Sequence, residues 1–477
     1  MPKLGGRLVI VSNRAPFRIV QEAERTRIEP TVGGVATTFL HLLETHGGLW
    51  VAWSGGTETP SPLDVQAKNH PFSIVFLGLS ERQISHYYWN MCNRGLWPLM
   101  HFMPLNCHFG ALDWAYYCEV NHRFSQSCLN QLQASDTVWI QDFHLALLPA
   151  LLRQSSPALP IGLFWHVPFP PPNILKLLPW RRELLEGMLG ADLIGFHTPA
   201  FASSFLDCCE EVLGFAIDRE SGFIFSDGRV TKVGAYPIGV PVNYFRELRS
   251  DPKVKRRLAQ IRRGVNVQRI ILGVDRLDYT KGLLQRLRAY ERFLENNRQY
   301  HQRVTLVQIA VPSRTRVPEY QALARQVADL VASIVIRFST EGWLPIRYLY
   351  KQYDPEILVA YYLAADVALV TPLTDGMNLV AKEYVATHGD DGMLILSELA
   401  GAAVELKDAL LVNPYDIDQI ARQLKYALEV DEQERRRRMR ALQAVVEENT
   451  LTQWSQTFLE ALHAASMSAR SPSLLKT

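Results

Sequence analysis

The chain has 477 residues, about three times a common domain length of ~150, so two or three domains are expected and a single small core is excluded. Apolar residues make up 48% and charged residues 21%, with a mean hydropathy of -0.05, which excludes wholesale disorder. Lys and Arg number 50 against 48 Asp and Glu, a formal charge of +2 that is too balanced for bulk polyanion or an acidic membrane surface, so any anion site must be local.

No stretch approaches the ~18 apolar residues of a membrane span, and the start MPKLGGRLVIVSNR runs into a short strand without a cleavage-site pattern. A cytoplasmic protein with no membrane and no nucleic-acid partner is expected. The cysteines Cys92, Cys107, Cys118, Cys128, Cys208 and Cys209 form no CxxC pair and no zinc spacing, so they read as free, mostly buried thiols. Cys208 and Cys209 lie in the helical pattern FLDCCEEVL, and a reducing compartment is implied.

In the first half, short β-branched and aromatic runs predict strands at RLVIVS (7–12), LWVAW (49–53), SIVFL (73–77), TVWIQ (137–141), IGLFWH (161–166) and DLIGF (192–196). The segment AYPIGVPVNYF (235–245) holds two prolines and a glycine before the charged helix DPKVKRRLAQIRRG, which places a domain boundary near residue 240. Beyond it, RIILGV (269–274), VTLVQIA (304–310), SIVIRF (333–338), VALVT (367–371), MLILS (393–397) and ALLVN (409–413) predict strands with helical patterns between them. Runs apolar on both faces fit parallel strands covered on two sides by helices. Leu283, Leu287, Tyr290 and Leu294 form one helical stripe. The expectation is an α/β chain of two doubly wound parallel-sheet domains, 1–240 and 241–477, facing a cleft, with the last helix able to cross back to the first domain. Ligands of such sheets gather beyond the carboxyl ends of the strands.

Candidate residues follow those strand ends. Asn13-Arg14 follows the first strand, and Gly33-Gly34 lets the backbone approach a ligand, though a tight turn needs glycines equally. The stretch Tyr87-Tyr88-Trp89 to Trp97-Pro98 reads as core or as the apolar wall of a sugar site. Asp142 and His144 follow TVWIQ, and His166 ends IGLFWH before the stiff VPFPPP turn, although any one such histidine is more often a hydrogen-bonded core residue. Arg276 and Lys281 sit on the loop from RIILGV to the Leu283 helix, two cations beside a positive helix end. Asp375 to Asn378 precede the helix LVAKEYVAT, in which the Glu383 carboxylate can accept from a diol such as ribose, an exposed helical glutamate being the plainer alternative. Two patterns are set aside: Asp416-Ile417-Asp418 fits helix capping better than metal binding, and ERRRRMR (434–440) fits a solvated helix face. Walker, GxGxxG, HExxH and GxSxG patterns do not occur.

Taken in order, VSNR, GG, YYWN…LWP, QDFHL, HVPFP, VDRLDYTKGL, PSR and TPLTDGMNLVAKEY resemble the trehalose-6-phosphate synthases of glycosyltransferase family 20, over roughly residues 7–460. The resemblance implies the GT-B architecture, with two Rossmann-like domains. The N-terminal one would hold the acceptor and the C-terminal one the nucleotide sugar. It further implies transfer of glucose, with retention, from a nucleotide sugar, usually UDP-glucose, to glucose 6-phosphate, giving trehalose 6-phosphate and a nucleoside diphosphate, without cofactor or metal.

Carried over by motif, Arg276 and Lys281 would hold the donor diphosphate and stabilise the leaving group. Glu383 would hold the ribose. The amides of Asn378, Leu379 and Val380 would meet phosphate or sugar oxygens, Asp375 the transferred glucose, and Gly34 the diphosphate. His166 would stand near the anomeric centre, and Asp142 would position the acceptor. Arg14, Tyr88, Trp97 and Arg314, with Trp53 beside them, would hold glucose 6-phosphate. A separate trehalose-6-phosphate phosphatase would act downstream, and relatives of this kind are often homodimers or homotetramers. QDFHL stands where HDYHL is common, AVPSR where APTSR is, and residues 103–114 match nothing familiar. Two alternatives stay open, a glucosylglycerol-phosphate synthase using ADP-glucose and glycerol 3-phosphate and a catalytically inactive sugar-phosphate sensor. A pseudo-glycosyltransferase that couples cyclitols is a further relative, and a pyridoxal-phosphate phosphorylase shares the architecture, but the residues match a nucleotide-sugar site better.

Overall fold

A computed structural model of the chain describes residues 6–15, 17–22, 25–30, 39, 42–44, 47–59, 71–226 and 228–470. The chain divides into two compact units, Met1–Pro237 with Thr452–Thr477, and Ile238–Leu451.

The first unit contains β1 (Leu8–Arg14), the hairpin β2 (Phe17–Glu22) and β3 (Arg25–Pro30), then β4 (Gly48–Trp53), β5 (Phe72–Leu77), β6 (Thr137–Gln141), β7 (Ile161–Phe164), β8 (Leu193–Phe196), β9 (Ala216–Asp218), β10 (Phe223–Ser226) and β11 (Arg229–Ala235). Its nine-stranded sheet runs β5-β4-β1-β6-β7-β8-β11-β10-β9. Pairing is parallel from β5 to β11, but β10 is antiparallel to β11 and β9. The expected sheet was wholly parallel. Its antiparallel edge escapes the sequence pattern because β9 and β10 are only three and four residues long and partly exposed.

The helix Leu451–Arg470 closes this unit. Phe458 stacks on Trp139 with ring centroids 4.6 Å apart, and the Trp454 indole donates to Tyr236 O at 3.1 Å. Glycines in two strands make room for it: a Cβ at Gly162 or Gly195 would lie 2.9 or 2.6 Å from the Phe458 ring.

The second unit contains β12 (Arg269–Arg276), β13 (Val304–Val311), β14 (Ile346–Leu349), β15 (Val367–Val370), β16 (Met393–Ser397) and β17 (Leu410–Val412). All pairs are parallel, in the order β14-β13-β12-β15-β16-β17. Leu283, Leu287, Tyr290 and Leu294 are buried in its core, as the stripe predicts. SIVIRF is not a strand. It ends the helix Pro318–Phe338, in which Leu323, Val327, Val331 and Ile334 are buried at helical spacing while Ile336 is 82% exposed. The third strand is instead the short β14, whose residues Arg347, Tyr348 and Leu349 are only half-buried.

All six cysteines are free thiols, four of them buried. Asp416 caps the helix Ile417–Glu429, accepting from Gln419 N. The ERRRRMR run lies on the helix Glu432–Glu448, where Arg436, Arg437 and Arg438 pair with Glu432, Asp408 and Glu434. Arg435 and Met439 of that run turn inward, and Arg435 donates to Ala427 O and Asp391 O. Among the described residues no helix is long and apolar enough to cross a membrane.

Candidate active site

In the second unit the candidates leave the carboxyl ends of three adjacent strands, β13, β12 and β15, around the point where the strand order reverses. Arg276 is exposed at the end of β12. The loop beyond it is built on the buried Asp278 carboxylate, which accepts from Arg314 Nη1 at 2.5 Å, Tyr320 Oη at 3.1 Å and Thr280 N at 3.0 Å. Burial opposes this charge, yet Arg314, Arg276 and Lys281 overcome it and hold the carboxyl down at about 2. Three cations therefore converge on one loop carboxylate. Arg314 adopts φ 47, a left-handed conformation costly for a side chain of its size.

Lys281 Nζ donates to Asp375 Oδ2 at 2.5 Å, and Asn378 Nδ2 donates to the same oxygen at 2.9 Å. Asn378 sits at φ 74 and caps the helix Leu379–Thr387, accepting from Ala381 N at 3.3 Å. That cap leaves the amides of Leu379 and Val380 at a positive helix end, suited to oxygens of an anion. One turn on, Glu383 accepts from Tyr362 Oη at 2.7 Å, and burial raises its carboxyl above the ordinary range. Its second oxygen can serve a diol.

In the first unit the candidates again leave adjacent strand ends, those of β4, β1, β6 and β7. The Arg14 guanidinium lies 4.9 Å from the Trp53 ring centroid and 5.0 Å from that of Tyr88, a cation over two aromatic faces. Trp53 and Tyr88 are 5.2 Å apart. Tyr88 rides on a π-helix, Ile84–Leu96, which continues into the short helix holding the buried Trp97. Trp97 packs on His101 at 4.1 Å.

Asp142 has φ 71 and ψ 169 immediately after β6, a backbone conformation almost confined to glycine and therefore strained. Its Oδ1 accepts from His166 N at 3.1 Å, and its Oδ2 lies 3.8 Å from His144 Nδ1. His166 Nε2 meets Gln141 Oε1 at 3.0 Å, so the neutral ring donates there and leaves Nδ1 a bare acceptor, buried and without a partner. Burial lowers the ring to about 3, far from its ordinary 6.5. His166 is thus neutral, with one ring nitrogen able to accept a hydrogen bond.

Gly34 and its neighbour Gly33 lie outside the described residues. The remaining candidates fall into two groups, Arg14, Trp53, Tyr88, Trp97, Asp142 and His166 in one unit and Arg276, Lys281, Arg314, Asp375, Asn378, Leu379, Val380 and Glu383 in the other. Two further residues of the second unit, Asp278 and Arg286, are not among the sequence candidates. Arg286 had a signal: it lies on the stripe of Leu283, Leu287 and Tyr290, and it is fully buried. Among the described residues no group of three or more His, Cys, Asp or Glu could hold a metal ion.

The sequence matches glycosyltransferase family 20 across residues 6–464. It is 39% identical over 471 residues to a bifunctional trehalose-6-phosphate synthase/phosphatase of Thermoproteus tenax, covering 96% of this chain and 64% of that protein. A trehalose-6-phosphate synthase of Mycolicibacterium vanbaalenii is 38% identical over 471 residues, 96% of each being covered. Among solved structures, an α,α-trehalose-phosphate synthase (UDP-forming) from Burkholderia xenovorans in complex with glucose-6-phosphate matches at TM-score 0.88 and 35% identity, over 96% of this chain and 100% of that one. A structure from E. coli bound with UDP-2-fluoro glucose matches at TM-score 0.88 and 36% identity, over 96% and 99%. These likenesses span both units and carry the GT-B fold. With the family match running nearly end to end, the chain belongs to glycosyltransferase family 20.

Proposed function

We propose that the chain is an α,α-trehalose-phosphate synthase that transfers glucose from UDP-glucose to glucose 6-phosphate with retention. The observation that carries this is the convergence of Arg276, Lys281 and Arg314 on the Asp278 loop, beside the capped start of the helix Leu379–Thr387. A nearly neutral protein has gathered cations and free amides where phosphates must sit. The relatives whose structures carry glucose-6-phosphate and a UDP-sugar support the two ligands.

In this proposal Arg276, Lys281 and the amides of Asn378, Leu379 and Val380 hold the donor diphosphate, Glu383 holds the ribose, and Asp375 the hydroxyls of the transferred glucose. Gly34 lets the backbone approach the diphosphate. Arg14, Trp53, Tyr88, Trp97 and Arg314 bind glucose 6-phosphate, Asp142 positions it, and His166 accepts from a glucose hydroxyl. As the bond from C1 to the diphosphate oxygen breaks, Arg276 and Lys281 neutralise the leaving charge. The acceptor hydroxyl then bonds to C1 on the same face and gives its proton to the departing phosphate. Two arginine- and lysine-borne charges at the diphosphate supply the neutralisation, so added metal is not needed. The product is a phosphate ester, for which a separate phosphatase is the natural downstream partner, in the cytoplasm where nucleotide sugars are found.

The test is nucleoside diphosphate release from UDP-, ADP- and GDP-glucose, each with glucose 6-phosphate or glycerol 3-phosphate, in EDTA. Release from UDP-glucose that depends on glucose 6-phosphate is expected. Preference for glycerol 3-phosphate would overturn the acceptor, and loss of turnover in EDTA would overturn metal independence.

A further inference from the structure

The helix Leu283–Asn296 follows the Lys281 loop, and on its inner face Arg286 has a side chain with 0% exposure. Its guanidinium joins four chain segments: Nη1 pairs with the Asp275 carboxylate near the end of β12 and donates to Gln308 Oε1 of β13 at 3.2 Å. Nε donates to Thr371 Oγ1, just beyond β15, at 3.1 Å, and Nη2 donates to Lys281 O at 3.3 Å. Two glycines are shaped to this arrangement. A Cβ at Gly273, inside β12, would lie 2.8 Å from Arg286 Nη1 and 2.3 Å from Gln308 Oε1. Gly282 turns at φ +66, and a Cβ there would lie 2.3 Å from Thr371 O. Leu373 N donates to Thr280 O at 2.7 Å, tying the same two segments together.

Stability alone does not account for an arginine here. A buried ion pair is commonly matched or exceeded by apolar side chains of equal volume, and Leu283, Leu287 and Tyr290 already line this face. What an apolar residue cannot supply is a planar fork with donors in several fixed directions. We propose that Arg286 is a positioning residue: its guanidinium fixes the Lys281 loop against the segment from Thr371 to Asn378, so that one diphosphate meets both. Arg286 touches no substrate and acts through Lys281, Asp375 and the start of the helix Leu379–Thr387. This rests on the proposed donor site and deepens it.

The experiment measures UDP binding by calorimetry and steady-state KM values for UDP-glucose and glucose 6-phosphate. The variants are Asp275→Asn/Arg286→Met, which leaves no unpaired buried charge, Arg286→Lys, and Thr371→Val, which removes one acceptor only. In the folded double variant UDP affinity should fall at least about tenfold, with a matching rise in KM for UDP-glucose and a KM for glucose 6-phosphate within about twofold of wild type. Arg286→Lys should not restore UDP binding, since it keeps the charge without the fork, and Thr371→Val should move UDP affinity the same way by a smaller factor. A folded double variant, or a folded Thr371→Val, that binds UDP like wild type overturns the role, as does an equal loss for donor and acceptor. Wild-type protein that neither binds UDP nor releases it from UDP-glucose overturns the donor site itself.

Discussion

His166 offers a direct thermodynamic test of its environment. Its ring is neutral in the folded chain and titrates only near 3, against an ordinary value of 6.5, because burial penalises the cation. The unfolded chain binds that proton below about pH 6.5, while the folded chain refuses it until about pH 3. The group therefore withdraws stability as pH falls from 6.5 toward 3 and costs nothing above 6.5. At about pH 5 the unfolded state is favoured by about 1.5 pK units, or about 2 kcal/mol. His166→Gln keeps an amide that can meet Gln141 and carries no titrating group. Of the ten tryptophans, only Trp343 lies in the unit Ile238–Leu451, so tryptophan emission follows the unfolding of the other unit. Urea denaturation read by that emission should show wild type losing about 2 kcal/mol more than His166→Gln between about pH 7 and pH 5. Parallel losses in the two proteins would refute a neutral, desolvated His166.

Asp278, held at about 2 against an ordinary 3.8, stabilises the fold above pH 3.8 and loses that contribution as pH falls through about 2. Wild type should accordingly lose about 2 kcal/mol more than Asp278→Asn between about pH 5 and pH 2, read by hydrogen exchange in the helix Leu283–Asn296. Lys281→Met should leave the fold intact and lower kcat/KM for UDP-glucose by about 10²–10³, since it removes a cation from the developing diphosphate charge; steady-state kinetics with glucose 6-phosphate saturating will read it. Gly282→Ala meets both a left-handed φ of +66 and a Cβ contact of 2.3 Å with Thr371 O, and should cost at least about 2 kcal/mol in a urea melt while weakening UDP binding.

How much could be read ahead depends on where side chains face. Strands such as Val9–Val11 and Val138–Ile140 are buried on both faces and show as apolar runs, so the parallel sheets were legible. SIVIRF has the same composition, but the exposed Ile336 belongs to a helix whose buried positions recur every three to four residues, and β-branched content alone misassigns it. The strands β9 and β10 give little signal because they are only three and four residues long and partly exposed. Among site residues, those just past strand ends could be found by rule, as Arg14, Asp142, His166, Arg276 and Asp375 were. Arg286, inside a helix, could not be found that way, and Asp278, although it follows β12 by two residues, carries no sign in the sequence of its burial. Their importance comes from partners far along the chain, Arg314 and Thr371, which only the fold brings near.

The central claim is the bond that the chain makes. It is tested most directly by supplying UDP-glucose labelled with ¹³C at the anomeric carbon together with glucose 6-phosphate, in EDTA, and reading the product by NMR. The account predicts a single new α signal for the labelled carbon, coupled through oxygen to an α anomeric carbon of the acceptor, with one UDP released per linkage. A β linkage, free labelled glucose as the sole product, or unconsumed UDP-glucose would contradict it.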